Sequence, residues 1–149
     1  MKGSSEAGFT LLELIMVVVI IGILASLVAP RIVGRQRQAK VTAARAQIGM
    51  LDDALEIYCL DNDMYPTSEQ GLEALILEPA SSPVPENWGG ANKESYLKSD
   101  VIPPDPWGNE YVYICPGERN TEGYDILCYG PDREEGGGDD IANYTIETE

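Results

Sequence analysis

The chain is expected to be an α+β protein, a long N-terminal helix packed on a small antiparallel sheet. Three observations lead there. Residues 9–29, FTLLELIMVVVIIGILASLVA, form an apolar run with one charge, Glu13. Apolar residues then recur at Val41, Ala44, Ile48, Leu51, Leu55 and Tyr58, the spacing of one helical face. The last third holds two strand-forming segments, Tyr111–Cys115 and Tyr124–Tyr129, with turn residues between them.

The apolar run has the length that crosses a bilayer as a helix. With no water to take up its peptide groups, such a segment satisfies its backbone internally, so helix prevails despite many β-branched residues. A cleaved secretory signal fits less well: the run is long for one, and Pro30-Arg31 follows in place of a small-residue cleavage site. Lys2 is the only base before the run, whereas Arg31, Arg35, Arg37 and Lys40 follow it. Taken alone, that bias would put the C-terminal side in the cytoplasm.

Pro30 removes one backbone donor and is expected to kink the helix rather than end it. No breaker appears until Asp61-Asn62-Asp63, so the helix is expected to run about 50 residues, roughly 80 Å. Its amphipathic part packs on its own domain, and the exposed first half suits packing with other copies. In YPTSEQGLEALI, Thr67 and Gln70 have capping-box spacing, and Leu72, Leu75 and Ile76 give a short apolar face. Tyr65-Pro66 sets the exit from the long helix. PASSPVP is a loop, and Tyr96-Leu97 is a short apolar patch, strand or turn. DPWGN is a turn before the first strand, with Trp107 and Tyr111 as packing residues.

Charge is divided along the chain. Residues 1–45 hold six Lys/Arg and two acids, and residues 46–149 hold four bases and 23 acids, for a net charge of −15. So acidic a domain does not bind nucleic acid through its phosphates. With no His in the chain, His-based metal sites and Ser-His triads are excluded. Cys59, Cys115 and Cys128 allow one disulfide at most, in any of three pairings. If the hairpin pairs Cys115 with Tyr124, then Tyr111 faces Cys128. The two hairpin cysteines then share a face but lie at opposite ends, which disfavours a bridge between them. Cys59, on the helix beneath, remains a possible partner for either.

The chain closes on GPDREEGGGDDIANYTIE. Asp132, Glu134, Glu135, Asp139 and Asp140 crowd this loop, and Gly136-Gly137-Gly138 lets it fold back. Like charges held together repel unless a cation sits between them. Ca²⁺ takes six to eight oxygens, backbone carbonyls included, in an irregular cage. The spacing is not that of an EF-hand, and a solvated acidic loop is the alternative.

GFTLLELIMVVVIIGILASLVAP resembles the N-terminus of type IV pilin-like proteins. LDNDMYPTSEQGLEAL, PPDPWGNEYVY and YDILCYGPD…DDIANYTI resemble, in order, the major (G-type) pseudopilins of type II secretion. The resemblance implies a pilin-like fold and a leader, residues 1–8, cut between Gly8 and Phe9 by a prepilin peptidase that also N-methylates Phe9. It implies a transmembrane and assembly segment over residues 9–30 and a periplasmic domain over residues 31–149, with the N-terminus inside, against the simple charge rule. Subunits would leave the inner membrane and polymerise into a pseudopilus with minor pseudopilins. An assembly ATPase and an inner-membrane platform would drive it, pushing folded exoproteins through an outer-membrane secretin. The family's calcium loop carries over to the side chains of Asp132, Asp139 and Asp140 and the carbonyls of Tyr129, Glu134 and Gly137. Arg133 stands where the family often has Gly, which puts the loop path in question, because φ > 0 is unfavourable for a non-Gly residue. The cysteines depart from the family too, and Tyr144 stands where Trp is common.

Three functions compete: a filament subunit of the pseudopilus or of a surface type IV pilus, a monomeric membrane-anchored calcium-binding module, and an anchored enzyme. The enzyme reading is weakest, because no nucleophile has a base beside it. Glu13 separates the first two. A carboxylate in a membrane helix costs about 2.5–3.5 kcal/mol, and a monomeric anchor has no use for it. In a filament it can pair with the charged Phe9 amine of a neighbour.

Overall fold

A computed structural model describes residues 8–145, with the backbone alone described for residues 27–33. Helix α1 spans Leu11–Asn62, 52 residues. Residues 1–7 of the expected leader, residues 1–8, and the side chain of Pro30 lie outside the described residues, as do the side chains of residues 27–29 in the expected span. Among the described residues, no helix is long and apolar enough to cross a membrane. The chain divides into two compact units, residues 1–39 and 40–149.

In the first unit the apolar side chains of α1 from Leu11 to Leu24 are exposed on every side of the helix. Leu12, Ile15, Val18 and Ile21 are each about half exposed or more, and Leu11 is 79% exposed. In the second unit the expected stripe forms. Ala44, Ile48, Leu51, Leu55 and Tyr58 are buried, Val41 packs against them, and Ala54 joins them.

The sheet covering this stripe has three strands, β1 (Val112–Ile114), β2 (Asp125–Cys128) and β3 (Ile141–Ala142), in the order β1-β2-β3, all antiparallel. Val112 pairs with Leu127 and Ile114 with Asp125. Continued outward, that register sets Tyr111 opposite Cys128 and Cys115 opposite Tyr124, the register assumed from the sequence. Cys115 and Cys128 thus sit about 13 Å apart along the sheet, and all three cysteines are free thiols. Tyr111, Tyr113, Ile126 and Cys128 belong to the core with α1, and the tyrosine rings form much of it. Tyr65 meets Tyr124 edge-on at 4.8 Å, and Tyr113 lies 5.9 Å from Tyr124.

Three local expectations change. β1 and β2 are shorter than Tyr111–Cys115 and Tyr124–Tyr129, because ladder pairing stops where each chain turns away. β3 was not expected, since two residues carry no readable alternation. The capping box at Thr67 and Gln70 forms, at 3.0 and 3.2 Å. It opens only a turn and the 3-10 helix Leu72–Leu75, whose entry residue Gly71 has φ 64, far from helical. Leu72 and Leu75 are nonetheless buried, and Tyr96 joins this segment through its N–H to the Leu75 carbonyl, in a bend rather than a strand.

Candidate functional site

Two places carry the residues singled out by the sequence. At the N-terminal one, Gly8 and Phe9 are exposed and outside regular structure, with Phe9 84% exposed. Thr10 is the N-cap of α1: its carbonyl accepts from the Leu14 N–H at 3.2 Å. The Thr10 hydroxyl accepts from the Glu13 N–H at 3.3 Å, and the Glu13 carboxylate accepts from the Thr10 N–H at 3.4 Å. This reciprocal pair is a capping box, which satisfies two backbone donors that a helix start leaves open. Glu13 thus has a use within its own chain, one that sequence reasoning missed for Thr10. The T-x-x-E spacing was the available signal, and it was masked by the apolar run around it.

The C-terminal place is the loop of residues 129–140. Its ends converge because Cys128 pairs with Ile141, so β2 and β3 clamp it from both sides. Asn143 locks that clamp. Its N–H donates to the Ile126 carbonyl at 3.0 Å, its Oδ1 accepts from the Ile126 N–H at 3.0 Å, and its amide reaches Asp52 on α1 at 3.3 Å. Gly130 has φ 73, and a Cβ there would lie 2.6 Å from the Asp139 carbonyl oxygen, so the loop closes only around a glycine. Arg133 takes the left-handed conformation, φ 65, which a glycine would take freely. A non-glycine residue holds this conformation at a cost of about 1–2 kcal/mol.

Within the loop, a Cβ on Gly137 would meet Asp132 Oδ2 at 2.8 Å and Asp139 Oδ1 at 3.2 Å. Both carboxylates therefore border the open space over that glycine. Asp132 Oδ1 accepts from the Glu134 N–H at 3.1 Å, and Asp140 Oδ2 accepts from the Gly136 N–H at 2.7 Å. Asp140 Oδ1 is buried with no hydrogen bond, a position that natural folds rarely leave unfilled. Glu134 is exposed, and Tyr129 is half-buried at the loop's start. Among the described residues no three acidic side chains are already gathered tightly enough to hold a metal. Asp132 and Asp139 converge, while Asp140 is held aside by Gly136. The donor set suits a hard cation: oxygens only, a lone buried oxygen, and glycines on both flanks.

Burial pushes the Cys128 thiol above its usual value. Burial also raises the Tyr65 hydroxyl, beside Cys59 and Glu56, to about 12.

Comparison with known proteins agrees with this arrangement. Residues 31–145 match the family model for type II secretion system protein G, and residues 3–29 match the prokaryotic N-terminal methylation motif. The chain is 47% identical over 147 residues to type II secretion system core protein G of Pseudomonas aeruginosa, covering 97% of this chain and 99% of that one. It is 48% identical over 141 residues to the core protein G of Escherichia coli K12, covering 95% and 92%. Among solved structures, the fold is similar to the major pseudopilin from the type 2 secretion system of enterohaemorrhagic Escherichia coli. The TM-score is 0.62 at 34% identity, covering 74% of this chain and 91% of that one. The chain belongs to the type II secretion system protein G family, and it is a structural subunit of the pseudopilus.

Proposed function

We propose that this subunit is stored in the inner membrane through residues 9–30, with the domain of residues 31–149 in the periplasm. A prepilin peptidase removes residues 1–8 between Gly8 and Phe9 and methylates the new Phe9 amine. The subunit then polymerises with copies of itself and with minor pseudopilins, on an inner-membrane platform driven by an ATPase. The growing pseudopilus moves folded exoproteins through the outer-membrane secretin. The subunit acts by assembling and not as an enzyme.

One observation carries this reading. The apolar side chains of α1 from Leu11 to Leu24 are exposed all round the helix, whereas farther along it one face, Ala44, Ile48, Leu51, Leu55 and Tyr58, is buried in the subunit's own core. Lipid covers the first set before assembly, and the helices of other copies cover it afterwards. A surface type IV pilus would need the same surface, but the domain matches protein G.

Glu13 is the proposed assembly residue. Cleavage leaves a cationic amine on Phe9, one residue before the cap, and Glu13 of a neighbouring copy is its partner. The Thr10–Glu13 box makes the test sharper. Glu13→Gln keeps a capping acceptor and loses the charge, whereas Glu13→Ala loses both. Filaments and secretion should fail in both variants while membrane insertion persists. Normal filaments from Glu13→Gln would show that Glu13 acts as a cap and not as a charge.

Calcium is the proposed ligand of the C-terminal loop. Asp132 and Asp139 would hold it with side-chain oxygens, together with Asp140 and the carbonyls of Tyr129, Glu134 and Gly137. Bound there, the ion supplies positive charge that lets the carboxylates approach one another. The residues themselves fix the loop between β2 and β3 and so shape the surface it offers.

A further inference from the structure

A cleft of about 380 Å³ opens between α1 and the end of the sheet, lined by Arg45, Gly138, Asp140, Ile141 and Tyr144. Arg45 follows Ala44, whose complete burial fixes the helix face, so its exposed side chain is carried to the rim of the C-terminal loop. The cleft has a carboxylate on its other side, Asp140; the Tyr144 hydroxyl there is raised mainly by burial and then by the charges of Asp125, Asp140 and Glu135, with Arg119 acting the other way. Residues 46–149 hold 23 acids and four bases, so a cation at this rim sits in a strongly negative field. Arg45 has no part in the core and no part in the Thr10–Glu13 cap.

We propose that Arg45 is the built-in counter-charge of the C-terminal loop, and that its guanidinium and a calcium ion compete for the loop's carboxylates. The inference rests on the calcium reading of the loop. Without the ion, the guanidinium offsets the repulsion among Asp132, Asp139 and Asp140 and holds the loop near its bound shape. With the ion, two cations share one site, so Arg45 lowers calcium affinity and is turned out toward solvent. The helix residue thereby sets the calcium level at which the loop loads. It also couples that loading to a charge on the α1 surface that is free to meet another subunit.

The test is calcium titration calorimetry on the full chain in detergent micelles, comparing wild type with Arg45→Gln and Arg45→Lys. At low ionic strength Arg45→Gln should bind calcium about three- to tenfold more tightly, the range expected for removing one partly screened charge. The gain should shrink in high salt, and Arg45→Lys should stay within about twofold of wild type, since it keeps the charge. In chelator, Arg45→Gln should melt below wild type. Equal or weaker calcium binding by Arg45→Gln, with calcium binding by wild type intact, overturns this inference alone. Failure of the wild-type chain to take up calcium overturns the reading of the loop, and this inference with it.

Discussion

Asp105 and Asp125 are almost wholly buried, at 3% and 2% exposure, yet every hydrogen bond they need is present. Asp105 Oδ1 accepts from the Trp107 and Asn109 N–H groups at 2.9 and 2.8 Å, and Oδ2 accepts from the Asn109 amide at 3.2 Å. Asp125 accepts from the Arg119 and Asn120 N–H groups at 2.8 and 3.0 Å. Asp132, Asp139 and Asp140 lie 7 to 15 residues beyond Asp125 in the chain and are more open to solvent. There one buried oxygen has no partner, and two carboxylates face a common space over a glycine. Residue type and acidity are the same in the two regions. Turns close inward on the first pair, so the backbone supplies the positive ends. In the loop the backbone supplies one N–H each to Asp132 and Asp140, while the second oxygen of Asp140 stays buried without a hydrogen bond.

Four experiments break or sharpen this contrast. The largest effect belongs to the satisfied side. Asp105→Ala should cost about 3 kcal/mol, because three donors lose their acceptor in a buried turn. Chemical denaturation should show the same loss in calcium and in chelator, and a loss that calcium repairs would erase the distinction between the two regions. On the other side, calcium at a hundredfold excess over Kd should stabilise wild type by about 2.7 kcal/mol. Asp132→Ala should lose that increment while matching wild type closely in chelator. An identical melting temperature with and without calcium in wild type would remove the loop from the metal-binding class.

Arg133→Gly tests the strain that lies only in the loop. Removing the left-handed penalty, less the extra freedom of glycine in the unfolded chain, should stabilise by roughly 0.5–1 kcal/mol. The gain should be the same in chelator, measured by thermal melting. A destabilised Arg133→Gly would mean that the arginine side chain makes a contact worth more than its strain.

The smallest effect is at Asp52, which stands between the two classes. Its pKa is raised above 3.8, mainly by burial, and the hydrogen bonds of Tyr124 and Asn143 offset this only in part. The folded state therefore holds the proton more tightly than the unfolded chain. Stability from this group is full below 3.8 and is lost as pH rises through the folded pKa. Asp52→Asn should flatten that part of the pH profile by a few tenths of a kcal/mol. Denaturation of both proteins across the acid range measures the difference, and a difference that grows as pH falls would contradict the assigned direction.

Much of the fold was legible before any coordinates. The stripe from Val41 to Tyr58 is readable because a helix repeats every 3.6 residues and each of its members meets the same core. The hairpin's shared face was readable because strand period 2 puts Tyr111, Tyr113 and Cys115 on one side; its register was only assumed until the pairing was seen. β3 was not, because Ile141 and Ala142 become a strand only when Cys128 arrives beside them. The 3-10 helix at Leu72 was hidden for a similar reason: the capping residues match an α-helix, and only the turn at Gly71 shows that the chain cannot continue as one. At the candidate sites, the acidic loop and Glu13 stood out by composition. Thr10 was hidden in an apolar run, and Arg45 lies 87 residues from the nearest loop carboxylate in the sequence.

By itself the amino-acid sequence determined the long helix, its apolar first half, its buried second stripe, the hairpin face and the surplus of carboxylates at the C-terminus. Each follows from short-range periodicity or from charge counted along the chain. Which carboxylates are satisfied was decided only by the tertiary structure. A carboxylate's partner is whichever N–H or cation the folded backbone turns toward it. Asp105 and Asp125 meet the N–H groups of their own turns. The Cys128–Ile141 pairing and the Asn143 clamp draw the C-terminal loop closed around glycines, so that Asp132, which also meets the Glu134 N–H, and Asp139 border the same space over Gly137.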